Sequence, residues 1–245
     1  MHQALQDKDQ LIVALDVSNQ DEALRLVDSL EPYVGYFKVG LQLFSRCGPG
    51  IVSQILDRGG RVFLDLKLHD IPNTVAKAAT EITGLGVQML TLHTQGGLEM
   101  LKRAGEAVSE ESLRLGVTPP LLLGVTILTS LNQDEIERTG YQIPLENLVV
   151  RLAGLAVEAG IGGIVCSPQE LELLNRSDLD LHFVTPGIRP EGLQTDDQSR
   201  TLPPSKAIRL GASFLVVGRP ITTAADPAAA ARSILGEIAR ARMAP

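Results

Sequence analysis

The segment FLDLKLHDIPNT, Phe63 to Thr74, places Asp65, Lys67 and Asp70 in close succession. Asp65 and Lys67 stand two apart in an apolar run that reads as a strand. Both side chains should therefore point to one face, with Leu64, Leu66 and Leu68 on the other. Asp70 follows where the strand gives way to a helix, which predicts a carboxylate, an ammonium and a second carboxylate gathered at one rim. Flanking carboxylates favour the charged form of a lysine. An ammonium is a poor Schiff-base nucleophile but a good proton donor to a carbanion. A carboxylate beside it would repel a substrate carboxylate, and repel it less once that group had left as CO2. The ammonium would stabilise the carbanion left behind. An ion-pair network closing the end of a barrel is the competing reading. It is weakened because Asp16 and Lys38, at two further strand ends, extend the same array of alternating charge. Asp16, Asp65 and Asp70 also resemble the ligands of a magnesium cage. Lys67 among them would repel the cation, so no metal is expected.

A second set of residues suits an anion. VVGRPIT, Val216 to Thr222, puts Gly218 and Arg219 just past an apolar run, and TPGIRPEG, Thr185 to Gly192, puts Arg189 past the preceding one. Glycine lets backbone N–H groups approach an anion, and arginine offers a phosphate two donors. A Gly-Arg pair alone says little; two such segments on successive strands read as a phosphate site.

These groups need elements to carry them. Apolar runs begin at Leu11 (LIVALDV), Tyr36 (YFKVG), Arg61 (RVFLDLK), Val87 (VQMLTLH), Leu121 (LLLGVTIL), Gly162 (GGIVCS), Leu181 (LHFVTPG) and Ser213 (SFLVVG). Each reads as a buried strand. Helical spacing lies between them, as in Asn19 to Leu30, Pro72 to Leu85, Glu146 to Ala159 and Asp226 to Ala241. Such alternation without a linker predicts one (β/α)8 barrel over residues 1–245. A doubly wound sheet is disfavoured by the strand count and by VSNQDEA after Asp16, where a glycine-rich fingerprint would stand. Barrel chemistry sits at the C-terminal strand ends. Asp16, Lys38, Asp65, Lys67, His93, Thr126 to Ser130, Pro186 to Arg189 and Gly218-Arg219 all fall there. The least regular stretches are Ser109 to Pro120 and Arg189 to Ser205, the second long and polar enough for a mobile lid.

Bulk composition narrows the class. The 245 residues carry a net charge of −7, against general binding to nucleic acid or anionic membrane. Aromatic residues make up only 3%, with no tryptophan, so an aliphatic core is expected. Cys47 and Cys166 lack metal-like spacing and read as unpaired thiols. The start, MHQALQDKDQ, is polar, and no apolar run approaches a membrane span, which together predict a cytoplasmic protein. His69 and His93, near the charged cluster, are read as hydrogen-bonded supports rather than as the acid or base. His2 and His182 are read as structural, and Asn132 to Glu137 as a solvated helix turn.

LDLKLHDIPNT, VTPGIR at Val184 to Arg189, VVGRPIT, FKVG at Phe37 to Gly40, ALDV at Ala14 to Val17 and LTS at Leu128 to Ser130 together resemble the orotidine 5′-phosphate decarboxylase family, from about Leu11 to Pro227. The resemblance implies loss of CO2 from orotidine 5′-monophosphate to give uridine 5′-monophosphate, in de novo pyrimidine synthesis, with neither metal nor organic cofactor. It makes Lys67 the proton donor to C6 of the ring and Asp65 the carboxylate near the departing CO2. Asp70 and Thr74 would reach a neighbouring subunit's site, so a homodimer is implied. Asp16 and Lys38 would contact the ribose, Thr129 and Gln198 the substrate, and Arg189, Gly218 and Arg219 the phosphate. Magnesium-dependent sugar-phosphate decarboxylases and hexulose-phosphate synthases share D-x-K-x-x-D, but DIPNT and PGIR favour the orotidine branch. A nucleotide-binding barrel without turnover would need the arginines but not Asp65, Lys67 and Asp70 together.

Overall fold

The computed structural model describes residues 7–190 and 201–243. Eight parallel strands close into a barrel in chain order: β1 (Leu11–Ala14), β2 (Tyr36–Gly40), β3 (Val62–Leu68), β4 (Met89–His93), β5 (Leu121–Val125), β6 (Gly163–Val165), β7 (His182–Thr185) and β8 (Phe214–Val217). Pairing of Leu11 with Leu215 joins β8 to β1. Each strand falls on one of the expected apolar runs, β3 extending one residue past its run to Leu68, and helices return the chain between them.

Strand alternation divides the apolar residues into two layers. Leu11, Val13, Val39, Leu64, Leu90, Ile164 and Leu215 face outward into the core beneath the helices. Ile12, Ala14, Phe63, Met89, Leu123, Val184, Phe214 and Val216 fill the barrel. Among the described residues the core beneath the helices is aliphatic as expected, with Phe37 and Phe183 the only rings among its buried members. The interior gathers Phe63 and Phe214 with Tyr36 packed against them, and the Tyr36 and Phe214 rings meet edge-on at 5.8 Å. A closed eight-stranded barrel leaves a narrow space that side chains must fill, and a few rings fill it efficiently.

The inward rows then turn polar toward the C-terminal ends. Two residues beyond Ala14 comes Asp16, beyond Tyr36 comes Lys38, beyond Phe63 comes Asp65, beyond Met89 comes Thr91 and beyond Val216 comes Gly218. The pleat that points the lower residue into the core points the upper one into the barrel mouth.

Local signals act as expected at several helices. Asn19 caps Gln20–Leu30 by accepting from the Glu22 N–H at 2.8 Å. Helix Pro72–Gly84 begins on its proline. Asn132 and Glu135 form a capping box before Gln133–Arg138. One expectation fails: Ser109 to Pro120 is not irregular, because helix Leu98–Leu115 runs through most of it. Met100, Leu101, Ala104, Val108 and Ser112 form its buried stripe. Gly116, at φ 68°, ends it in the left-handed conformation.

Of the segment Arg189 to Ser205, residues 191–200 lie outside the described ones, and Gln198 is among them. The flanks are tied together: the Leu202 N–H donates to the Gly187 carbonyl and the Arg189 N–H to the Leu202 carbonyl. Helix Pro204–Arg209 starts before the expected stretch ends. Among the described residues no helix is long and apolar enough to cross a membrane.

Candidate active site

The C-terminal mouth of the barrel encloses a cavity of about 440 Å³. Asp16, Lys38, Asp65 and Lys67 line it from the first three strands, Thr129 from the segment after β5, Arg189 from that after β7, and Gly218 and Arg219 from that after β8. Of the residues singled out in the sequence, these share one chamber. Asp70 and Thr74 do not line it; both are exposed, at the start of the turn after β3 and in the first turn of the next helix. The cluster within one chain is therefore carboxylate and ammonium without the second aspartate. The Asp70 carboxylate is occupied locally, accepting from the Ile71 N–H at 2.6 Å.

The charges form a chain across the first three strands. Asp16 Oδ1 lies 3.2 Å from Lys38 Nζ, which lies 3.4 Å from Asp65 Oδ2. Asp65 Oδ1 accepts from Lys67 Nζ at 2.8 Å. Both oxygens of Asp65 thus face an ammonium, which leaves its carboxylate poorly placed to hold a metal ion. Burial alone would raise the Asp65 pKa. The Lys38 and Lys67 charges, with hydrogen bonds from Lys67 and Thr91, outweigh it and hold the carboxyl below its ordinary 3.8.

Lys67 reaches this position through distorted backbone rather than plain alternation. Leu64 pairs with Leu90 and Leu68 with Leu92, so Asp65, Leu66 and Lys67 together stand opposite the single residue Thr91. The bulge is completed by Lys67 itself at φ 52°, a conformation that costs a non-glycine residue on the order of 1 kcal/mol. It also ends the alternation that would have kept His69 on the face of Asp65. His69 is instead exposed, with its ring 5.3 Å from that of His93. Sequence reasoning missed Thr91, although its place two residues before His93 on an inward row was legible. It also passed over Thr222, which lines the cavity from the same short helix as Arg219.

At the end of β8, Gly218 precedes helix Arg219–Thr222, and Arg219 is exposed at its first position. Arg189 is only 9% exposed, and its guanidinium donates to the Ile188 carbonyl at 3.2 Å. One arginine is held by the fold and the other is open to solvent. Neither cysteine is in a disulfide. Cys166 is fully buried, which pushes its thiol far up and leaves it inert.

His93 ends β4 with Nδ1 buried and making no hydrogen bond among the described residues. Burial, then the charges of His69 and Lys67, lower its proton affinity below the ordinary 6.5, and Asp65 opposes them. The unfolded chain therefore binds this proton more readily than the folded one. Stability attributable to His93 is present above about pH 6.5 and declines as pH falls below it. The lowered pKa of Asp65 acts only below about pH 4, outside that window. Thermal melting at pH 7.5 and 5.5 should show a smaller acid-induced drop in His93→Gln than in the parent. An identical drop would exonerate His93.

The family model described as Orotidine 5′-phosphate decarboxylase / HUMPS family matches residues 9–234. The chain is 48% identical over 237 residues to the orotidine 5′-phosphate decarboxylase of Syntrophomonas wolfei subsp. wolfei, covering 96% of this chain and 99% of that relative. It is 51% identical over 232 residues to that of Syntrophotalea carbinolica, covering 94% and 95%. The crystal structure of orotidine 5′-phosphate decarboxylase from Lactobacillus acidophilus superimposes with a TM-score of 0.83 at 37% identity, covering 93% of this chain and 98% of the other.

Proposed function

The chain belongs to the orotidine 5′-phosphate decarboxylase / HUMPS family, and on that premise we propose that it converts orotidine 5′-monophosphate to uridine 5′-monophosphate and CO2 in the cytoplasm, as a step of pyrimidine synthesis that uses neither metal nor organic cofactor. The observation that carries the reading is the 2.8 Å contact of Lys67 Nζ with Asp65 Oδ1, in one cavity with Arg189, Gly218 and Arg219. Arg189, Gly218 and Arg219 take the phosphate, Asp16 and Lys38 the ribose hydroxyls, and Thr129 and Gln198 the remaining substrate contacts. The pyrimidine ring then stands with C6 over Lys67 and its carboxylate against Asp65.

In the chemical step the bond from C6 to the carboxylate breaks, CO2 departs and the electron pair stays on C6. The Lys67 ammonium stabilises that charge and then transfers its proton to C6, leaving a neutral amine that regains a proton from water. Asp65 contributes repulsion of the substrate carboxylate, which vanishes with CO2. Phosphate binding is remote from C6, so its energy serves closure and orientation at the ring. The protein acts as a homodimer in which Asp70 and Thr74 enter the neighbouring site; their exposure beside exposed Ile71 supports this reading.

The test is to follow the ultraviolet change as purified enzyme consumes orotidine 5′-monophosphate, with and without excess chelator. Turnover undiminished by chelation is expected. Activity abolished by chelator and restored by magnesium would favour the metal-dependent branch of the family instead.

A further inference from the structure

We infer that Thr91 is a positioning residue that holds the reacting pair, Asp65 and Lys67, in register through a single hydroxyl; this rests on the decarboxylase reading above. Thr91 is completely buried on the inward face of β4. Its Oγ1 accepts from the Lys67 backbone N–H at 2.9 Å and donates to Asp65 Oδ1 at 3.0 Å. The same Oδ1 accepts from Lys67 Nζ at 2.8 Å. One side chain therefore satisfies the backbone of the lysine and aims the carboxylate that orders its ammonium.

The bulge explains why a side chain is needed. In regular parallel pairing, alternate N–H groups of β3 donate to carbonyls of β4 and the others to β2. With Asp65, Leu66 and Lys67 facing Thr91 alone, the ladder is interrupted there. The Lys67 N–H finds a hydroxyl instead, and Lys67 sits at φ 52°. A buried N–H left without a partner would relax by moving the backbone. Any such movement is passed directly to Nζ, because the strained residue and the proton donor are the same. The hydroxyl's own proton is directed to Asp65, so it cannot turn away to another acceptor without weakening the carboxylate's place between Lys38 and Lys67. Valine has the shape of threonine but neither accepts from the N–H nor donates to the carboxylate, whereas serine keeps both interactions.

Thr91→Val and Thr91→Ser discriminate the role from simple core packing. In Thr91→Val, kcat should fall about 10- to 100-fold, the effect of losing a hydrogen bond to a charged group at the reacting centre. The affinity for uridine 5′-monophosphate should stay within about threefold, because Thr91 is remote from the arginines that hold the phosphate. Thr91→Ser should return kcat to near the parent value. A carboxyl-carbon NMR titration of Asp65 in the unliganded protein supplies a readout independent of turnover: its midpoint should rise in Thr91→Val and be restored in Thr91→Ser. Should the valine variant fail to fold, Thr91→Ser against Thr91→Ala reports the same contrast. An active parent whose valine variant keeps full kcat and an unmoved Asp65 midpoint overturns the positioning role and leaves the decarboxylase reading intact. A parent inert toward orotidine 5′-monophosphate overturns that reading, while a raised Asp65 midpoint in Thr91→Val would still support the hold on the carboxylate.

Discussion

Lys67→Ala should lose at least about 10⁴-fold in kcat while binding uridine 5′-monophosphate within about tenfold of the parent affinity. Two effects act at once. A positioned proton donor is worth roughly 10²–10⁴-fold, and a preorganised charge facing a developing anion contributes roughly 10²–10³-fold more. Both reside in one Nζ, so a single substitution removes them together. The fold should survive, because Asp65 keeps Lys38 at 3.4 Å and its hydrogen bond from Thr91 and is not left as an unpaired buried charge. Product affinity should persist because Arg189, Gly218 and Arg219 stand on other strand ends. Single-turnover ultraviolet measurements and calorimetric titration with the product check the two halves separately. Turnover within tenfold of the parent would remove Lys67 from the role of proton donor.

The second large effect concerns Asp70, which does not line the candidate cavity of its own chain. Asp70→Asn should lower kcat roughly 10³-fold, the scale of losing one preorganised charge, if Asp70 completes the partner's site. The decisive measurement mixes this variant with Lys67→Ala by coexpression. A two-fold symmetric dimer that exchanges one aspartate in each direction leaves one intact site in every hybrid, built from the Lys67 of one chain and the Asp70 of the other. Random pairing makes half of the dimers hybrid, and each has one working site of two. About a quarter of parental activity should therefore return from two nearly inactive proteins. No recovery would place Asp70 in the service of its own chain.

The difference between these residues shows which parts of the site were readable in advance. Asp16, Lys38 and Asp65 reach the cavity because alternation is a local property of an extended chain. Once a residue two positions earlier is known to be core, the side chain that follows on the same face must emerge in the mouth. The place of Gly218 and Arg219 in the cavity was legible for a similar reason: they directly follow an apolar strand and open a helix. The helical part of Ser109 to Pro120, up to Leu115, was not legible because its buried stripe needs only one residue every third or fourth position.

The amino-acid sequence by itself determined the inward and outward rows and the rim on which Asp16, Lys38 and Asp65 collect, since these follow from residue type and a period of two along each strand. Only the tertiary structure decided the three-against-one bulge, the left-handed Lys67, the hydroxyl of Thr91 beneath it, and the exposure of Asp70. These depend on how two strands register across a sequence separation of 24 residues and on what space closure of the barrel leaves. A register is set by the packing of the whole ring of strands, and nothing in the local chain encodes it.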